Sequence, residues 1–182
     1  MTFDRIIEDG RLWAVRYDGE RDNALYSLFD QWNDVLWLRQ FFRENQEDLE
    51  SYFNITDVNT AIEDTIEDSE RLQCLIMDIS PDADLDKLFR PLENYRTSEM
   101  LLGMEKARLK RTLRHTSWLR IYAIKLTKGV FIITGGAIKL TQRMDERTHT
   151  QMELAKMERV RRFLLSEDII DDAGFIDFVN MD

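Results

Sequence analysis

The amino-acid sequence predicts an α+β fold in which an acidic helical half packs on a small twisted antiparallel sheet, with a β-hairpin at the start. Three patterns lead to this prediction. An Asp-Gly dipeptide separates two short apolar runs, apolar residues then recur at helical spacing as far as residue 80, and strand-like alternation follows near residues 118–138. Because a chain of 182 residues usually forms one compact domain, residues 1–182 are expected to fold as a single unit.

The β-hairpin is predicted at the very start of the sequence. Residues 3–8 and 11–17 flank Asp9-Gly10, a dipeptide that suits the positive φ angles of a tight turn. Apolar and aromatic side chains dominate the second run, which is typical of a strand with a buried face. Asp18-Gly19 then ends this run, so the two strands are expected to pair with each other.

Helices are predicted between residues 23 and 80. Apolar residues follow helical spacing from residue 23 to about residue 53, and Asn33-Asp34 is expected to divide this stretch into two helices. A third helix is predicted to start at Thr56, a residue type that is favoured at helix N-termini, and to end at Ser80-Pro81. Pro81 can begin a short turn of helix that ends near Phe89.

The stretch from residue 85 to residue 138 is predicted to contain one helix and two strands. Residues 85–97 are expected to be irregular or extended, and residues 98–114 are expected to be helical. Two strands are predicted at residues 118–126 and 130–138 on either side of a short turn. Gly135-Gly136 predicts a bulge or a close backbone approach within the second of these strands.

The end of the sequence is predicted to form a helix and then an edge strand. Asp145-Glu146 suits the start of a helix, because carboxylates stabilise the positive end of its dipole. This helix is expected to run to about residue 165. The short apolar stretch at residues 175–179 is then expected to add an edge strand.

Charge is distributed unevenly along the chain. Residues 1–103 contain 10 basic and 24 acidic side chains, whereas residues 104–165 contain 15 basic and 5 acidic ones, within a net charge of −10. By charge and predicted elements together, the single domain divides into a hairpin with acidic helices (1–80), a basic part with the predicted strands and last helix (81–166) and an acidic tail (167–182). The basic part either meets phosphate or is neutralised by the acidic part within the fold, and both interpretations stay open at this point.

Several classes of protein and site are excluded by what the sequence lacks. Cys74 is the only cysteine, so no internal disulfide can form, and no apolar run approaches the roughly 20 residues of a membrane helix. The start of the chain does not have the pattern of a secretory signal, so a cytoplasmic protein that does not enter a membrane is expected. No calcium-loop or zinc spacing and no phosphate-binding glycine-rich loop is present, and the single pair His149 and Glu153, four residues apart, is weak evidence for a metal, so neither a metal nor another cofactor is predicted.

Short motifs in the second half resemble the RelE/HigB toxins, which are the RNA-cleaving partners of toxin–antitoxin pairs. Residues 118–124 (WLRIYAI) resemble the central LRIxY strand of that family, and residues 129–133 (GVFII) resemble its apolar strand. Residues 137–143 (AIKLTQR) resemble the F-x-K-K-T-Q stretch, although Leu140 replaces its second lysine. Residues 87–92 (KLFRPL) are similar to the K-P-L piece before the central strands, and the predicted last helix is similar to the closing helix.

The resemblance implies a fold, an activity and a set of partners. The implied fold is the twisted antiparallel sheet of the RelE/HigB type. The implied activity is that of a toxin-like endoribonuclease that cleaves ribosome-bound mRNA, and an antitoxin of the helix-turn-helix type is expected to neutralise it. The alternative is a non-catalytic protein-interaction module whose basic segment is neutralised internally by its acidic half.

The resemblance also assigns roles to the cationic residues. Arg120 is the expected phosphate contact, and Lys139 and Arg143 are expected to stabilise the charge that develops during cleavage. His149 is the expected general acid or base, because the ordinary pKa of histidine is near neutrality. The remaining cationic residues are candidates for RNA binding: Lys106, Lys110, Arg114, His115 and Arg147. The alternative role for Arg120 is a salt bridge to the acidic half, for Lys139 and Arg143 a position in an ordinary solvated loop, and for His149 a position on the surface of a helix. For Lys106, Lys110 and Arg114 the alternative is an exposed basic stripe that pairs with acidic neighbours, and His115 is an alternative base.

Overall fold

The chain forms seven α-helices and six β-strands within the residues that a computed structural model describes, which are 1–92, 102–108, 115–127 and 129–181. The strands are β1 (Thr2–Arg5), β2 (Leu12–Arg16), β3 (Phe89–Pro91), β4 (Gly103–Ala107), β5 (Leu119–Lys125) and β6 (Phe131–Ile138). The helices are α1 (Ala24–Asn33), α2 (Val35–Glu44), α3 (Gln46–Phe53), α4 (Val58–Met77), α5 (Leu85–Leu88), α6 (Thr148–Ser166) and α7 (Asp172–Met181), and a short 3-10 helix lies at Met144–Glu146. The α+β class is therefore confirmed.

The six described strands form one sheet in the order β1-β2-β6-β5-β4-β3. Strands β2 and β6 pair in parallel, whereas every other neighbouring pair is antiparallel. The predicted antiparallel sheet is thus found only in part, because the sheet is mixed. The physical reason is that a long connection with several helices separates β2 from β6, and a long crossover allows two strands to lie parallel.

Helices cover both faces of the sheet. On one face α1 and α4 contact the strands and α2 packs on α4, and this core includes Trp32, Phe42 and Ile121. On the other face α6 packs on β6 and β5, and this core includes Trp13 and Phe175. Because both faces are buried, β5 and β6 are apolar almost throughout and do not alternate between apolar and polar residues.

The hairpin and the break in the helical stretch formed at the predicted places, although the connection between the two strands spans residues 6–11 and not only Asp9-Gly10. Strands β1 and β2 pair in antiparallel fashion, and Gly10 has a φ angle of 76° in the connection between them. The side chain of Asp34 accepts hydrogen bonds from the amides of Leu36 and Trp37, so it caps α2 directly after α1 ends. Helix α4 starts one residue later than predicted, because Asp57 and not Thr56 is its cap.

Two predicted elements proved wrong. Residues 103–107 belong to a strand, not to a helix over residues 98–114, since β4 pairs with β3 on one side and with β5 on the other. Residues 175–179 lie in helix α7 and not in an edge strand. The Asp171 side chain accepts a hydrogen bond from the Gly174 amide at 2.8 Å in the first turn of this helix, and Phe175 packs edge-to-face on Trp13.

The glycine pair lies directly beside a bulge in β6, and the predicted close approach of the backbone occurs at both glycines. The register of the β5–β6 ladder shifts between Tyr122 and Ala123, and Gly135 and Gly136 pair with β5 directly beside this shift. A Cβ atom at Gly135 would lie 2.2 Å from Oε2 of Glu153, and one at Gly136 would lie 2.4 Å from the carbonyl oxygen of Arg120. The two glycines therefore allow α6 on one side and β5 on the other to approach the backbone of β6.

Candidate functional site

An open cleft of about 1450 Å³ lies at the end of the sheet formed by β5, β4 and β3. Three of its described lining residues are carboxylates: Asp78, Asp84 and Asp145. Seven are cationic: Lys87, Arg90, Lys106, Arg108, Arg120, Lys139 and Arg143. The described lining is thus positive in a protein whose total charge is negative, and a concave positive surface attracts anions such as phosphate.

The pairing of the strands aligns part of this lining into a row. Arg90 of β3 lies opposite Lys106 of β4, Lys106 lies opposite Tyr122 of β5, and Tyr122 lies opposite Gly135 of β6. Residues that face each other across a ladder present their side chains on the same side of the sheet. Arg120, two residues before Tyr122, shares that side. The row of lining side chains is therefore built by the pairing of three separate strands, β3, β4 and β5, and Gly135 of β6 lies next to it.

Arg120 is a buried cation that faces the cleft without a carboxylate partner among the described residues. It is only 8% exposed, and its Nη1 donates hydrogen bonds to the carbonyl oxygens of Ser117 at 2.6 Å and Leu119 at 2.7 Å. Burial and then the nearby Arg108 lower the pKa of Arg120 to about 10. Arg120 is therefore held in a fixed orientation and stays cationic at neutral pH.

Lys139 follows β6 and lies in the same cleft. Its Nζ donates hydrogen bonds to the carbonyl oxygens of Thr141, at 2.8 Å, and of Gln142. Burial, and then the charge of Arg120, lower the pKa of Lys139 to about 8. A measurable fraction of Lys139 is therefore uncharged at neutral pH, and its amine then has a lone pair that can accept a proton.

Tyr122 is fully buried, and its hydroxyl has no hydrogen-bond partner among the described residues. Leaving a buried hydroxyl without a partner costs on the order of 1–3 kcal/mol. Burial also raises the pKa of Tyr122 above its ordinary range, so the hydroxyl keeps its proton and can act as a donor. Tyr122 lines the cleft together with Leu154 of α6 and Met144 of the 3-10 helix.

Two further predicted site residues lie at the cleft. Lys106 is half-buried on β4, in the row described above. Arg143 is exposed in the loop after β6, where its Nε donates a hydrogen bond to Oδ1 of Asp145 at 2.9 Å. Lys110 and Arg114 lie outside the described residues.

The predicted site residues Arg147, His115 and His149 do not line the cleft. Arg147 forms two hydrogen bonds, of 2.7 and 2.6 Å, with the carboxylate of Asp48, so it joins the start of α6 to α3. Nε2 of His115 lies 3.1 Å from Oδ2 of Asp64, which is a residue of α4. The pairs Arg147–Asp48 and His115–Asp64 thus join the basic part to the acidic helices, and we call this region the interface between the acidic helices and the basic part.

His149 is placed in the first turn of α6 on the side of α2. Its Nε2 donates a hydrogen bond to the carbonyl oxygen of Ile138 at 3.0 Å, and its ring packs edge-to-face on Phe41. Burial lowers the pKa of His149, which favours its neutral form. The structure thus keeps His149 apart from Arg120 and Lys139, which share the cleft.

Sequence reasoning missed Arg108 and Tyr122 as lining residues of the cleft. Arg108 directly follows β4, and the helix predicted there obscured the position of the cations relative to β5. Period-two spacing of Lys106 and Arg108 was the available signal, because it places both side chains on one side of a strand. No signal in the sequence distinguishes Tyr122 from an ordinary core tyrosine.

A second cavity, of about 460 Å³, lies between α6 and the start of α1. Glu153 of α6 lines it, and its Oε1 accepts a hydrogen bond from Lys156 at 2.6 Å, whereas its buried Oε2 has no partner among the described residues. Burial raises the pKa of Glu153. Gly135 makes room for this carboxylate, because a Cβ atom there would lie 2.2 Å from Oε2 of Glu153.

The described residues contain no group of three or more His, Cys, Asp or Glu side chains that could hold a metal ion. No described helix has both the length and the apolar character that crossing a membrane requires. Comparisons with protein-family models, with curated proteins and with solved structures give no match for this chain. Its function must therefore be inferred from the cleft and from the sequence motifs.

Proposed function

We propose that this chain is a RelE/HigB-like toxin, an endoribonuclease that acts on ribosome-bound mRNA in the cytoplasm and is neutralised by an antitoxin protein. One observation carries the proposal: Arg120 and Lys139, which the resemblance assigns to phosphate binding and catalysis, line the same open cleft. The remaining cations of the cleft provide the positive potential that an RNA backbone requires.

The order of the elements supports the resemblance. The WLRIYAI segment supplies β5, the GVFII segment leads into β6, and the AIKLTQR segment runs from the end of β6 into the loop that contains Arg143. The predicted closing helix corresponds to α6, which packs on both of these strands. The motif residues thus come from neighbouring elements and meet at one end of the sheet.

Cleavage of RNA next to a 2′-hydroxyl needs a clamp for the phosphate and a group that removes the hydroxyl proton. The guanidinium groups of Arg120 and Arg143 can donate hydrogen bonds to the non-bridging phosphate oxygens and stabilise the charge that grows on them. The 2′-oxygen then attacks phosphorus, the bond to the 5′-oxygen breaks, and a 2′,3′-cyclic phosphate remains. The departing 5′-oxygen takes up a proton.

Lys139 is the proposed proton acceptor, because His149 and His115 do not line the cleft. An uncharged lysine amine has two N–H groups and one lone pair. The carbonyl oxygens of Thr141 and Gln142 accept from Nζ, which leaves the lone pair of the neutral amine for the 2′-hydroxyl proton. The ammonium that forms can return this proton to the departing 5′-oxygen, so the step is balanced.

A second candidate function is the non-catalytic interaction module, and the interface between the acidic helices and the basic part favours it. Arg147 pairs with Asp48 and His115 contacts Asp64. Within the basic part itself, Lys125 at the end of β5 forms an ion pair with Asp86 of α5. Part of the basic charge is thus neutralised internally, as that alternative predicts.

Expression of the full chain in bacteria distinguishes the two functions. The toxin proposal predicts growth arrest and loss of mRNA, and both should disappear in Arg120→Ala and in Lys139→Ala while circular dichroism shows that the variants are folded. Arg162→Ala is the matched control, because it removes a cation that lies on the exposed side of α6 and pairs with Glu158. This control should remain toxic.

Absence of growth arrest and of RNA cleavage, with the unchanged protein soluble and folded, would contradict the toxin proposal and favour the interaction module. Equal toxicity of all variants would also contradict it, because the cleft cations would then have no part in the activity.

A further inference from the structure

We propose that Tyr122 completes a phosphate subsite in the cleft, where its hydroxyl donates a hydrogen bond to a phosphate oxygen that also contacts Arg120 and Lys106. The inference rests on the proposed function in one respect only, since that function makes the phosphodiester of an RNA chain the natural ligand. The subsite itself requires only a ligand that carries a phosphate group.

The strand register places these three side chains next to one another. Lys106 lies directly opposite Tyr122 across the β4–β5 ladder, and Arg120 precedes Tyr122 by two residues on the same side of β5. All three residues line the cleft. A phosphate group above this part of the sheet would therefore meet two cations and one hydroxyl.

The chemistry of the three groups matches an anion that only accepts hydrogen bonds. Guanidinium and ammonium groups are donors without an acceptor, and burial keeps the Tyr122 hydroxyl protonated by raising its pKa. A cationic ligand would be repelled by Arg120, and a donor-rich ligand would find only the Tyr122 oxygen as an acceptor among the three. Phosphate oxygens, in contrast, accept from all of them, and charge-assisted hydrogen bonds to phosphate are the strong ones.

A comparison with Tyr17 separates this role from that of an ordinary buried tyrosine. The Tyr17 hydroxyl donates a hydrogen bond to the carbonyl oxygen of Thr134 at 2.7 Å, which is the usual arrangement of a tyrosine in a core. The Tyr122 hydroxyl is more deeply buried and has no such partner among the described residues. Of these two tyrosines, the one whose hydroxyl has no hydrogen-bond partner among the described residues is therefore Tyr122, which lies in the cationic cleft.

The test compares Tyr122→Phe with Tyr17→Phe in the full chain, because each change removes a hydroxyl and nothing else. Binding of inorganic phosphate, and of a 2′-deoxy dinucleotide that lacks the attacking hydroxyl, is measured by isothermal titration calorimetry. Tyr122→Phe should weaken the binding of both probes by about tenfold. Its melting temperature should stay equal or rise, because no hydrogen bond of the described structure is lost.

Tyr17→Phe should give the opposite pattern, with a lower melting temperature and unchanged binding of both probes. Unchanged binding in Tyr122→Phe would overturn the inference, and so would the absence of phosphate binding by the unchanged protein. The outcomes are separable from the proposed function. A protein that never cleaves RNA but loses phosphate affinity in Tyr122→Phe would disprove the nuclease and support the subsite.

Discussion

Basic residues from the same part of the chain have different partners in the cleft and in the interface between the acidic helices and the basic part. In the interface, Arg147 and His115 each contact a carboxylate of the acidic helices. In the cleft, Arg120 and Lys139 bond only to backbone carbonyl oxygens among the described residues. Internal neutralisation and an open cationic surface therefore exist side by side, and net charge along the sequence cannot tell which residues belong to which.

Electrostatics explains why this difference matters for function. A cation that pairs with a carboxylate has most of its field cancelled locally, whereas cations that crowd each other without partners lower one another's pKa. Lys139 shows this effect, because Arg120 adds to the burial that lowers its pKa to about 8. An anionic ligand would relieve the repulsion between these two groups, which is a reason for such a ligand to bind there.

The largest expected effect on the cleft side of the comparison is a dependence of RNA cleavage on pH. Since Lys139 must lose a proton before it can act as a base, its active fraction falls about tenfold for each pH unit below its pKa of about 8. The rate of cleavage should therefore rise from pH 6 to pH 8 and level off above pH 8. Rate measurements at constant ionic strength check this profile.

Lys139→Arg is the control for this profile, because arginine keeps the positive charge but does not lose its proton in this range. We expect this variant to bind RNA and to cleave it slowly at every pH. If instead the cleavage rate of the unchanged protein fell as the pH rises from 6 to 8, Lys139 would act as a cation. That result would contradict its proposed role as a base.

A smaller effect, on stability and activity, is expected from a substitution that pushes β6 away from β5. In Gly136→Ala the new Cβ atom would lie 2.4 Å from the backbone oxygen of Arg120 and 2.4 Å from a methyl group of Leu28. We expect a loss of about 1–3 kcal/mol in the free energy of unfolding, together with lower activity, because the strand that carries Arg120 must shift. Urea unfolding measures the first quantity.

Gly174→Ala serves as the matched substitution in α7, where the nearest atom to the new Cβ is Asp171 Oδ1 at 3.4 Å. It should leave stability almost unchanged. Equal stability of the two variants would show that the tight approach of β5 to β6 at Gly136 does not constrain the fold.

The sequence predicted the hairpin, the break before α2, α4, β5 and β6 well, because local signals determine them. Asp34 is a strong helix cap, and the apolar residues of β5 and β6 have the length of buried strands. The prediction was wrong for β4 because Lys106 and its neighbours have side chains that suit a helix. Pairing with β3 and β5, which no local window contains, overrides that preference.

The candidate site was predictable only in part for the same reason. Motifs pointed to Arg120 and Lys139, which lie on or directly after strands that the sequence identifies. His149 has the right chemistry, but its direction depends on how α6 packs against α2, and that packing turns it toward Phe41. The placement of Tyr122 beside Lys106 depends on the register of β4, which the predicted helix excluded.

The smallest expected effect concerns the interface side of the comparison. Arg147→Ala leaves the buried carboxylate of Asp48 without its two charge-assisted hydrogen bonds. Because the Arg147 side chain is 44% exposed, water can replace most of the loss, and we expect only a small decrease in the free energy of unfolding. Thermal or urea unfolding checks this decrease, and no change in stability would mean that the pair contributes nothing to the fold.

The most direct test of the division between cleft and interface is the rate of RNA cleavage per folded molecule in Arg120→Ala and Arg147→Ala, measured side by side. Both variants lose one positive charge. The predicted result is a rate that falls at least a hundredfold in Arg120→Ala and stays near that of the unchanged protein in Arg147→Ala. Equal losses in the two variants would contradict the account, because the position of the charge would then be irrelevant.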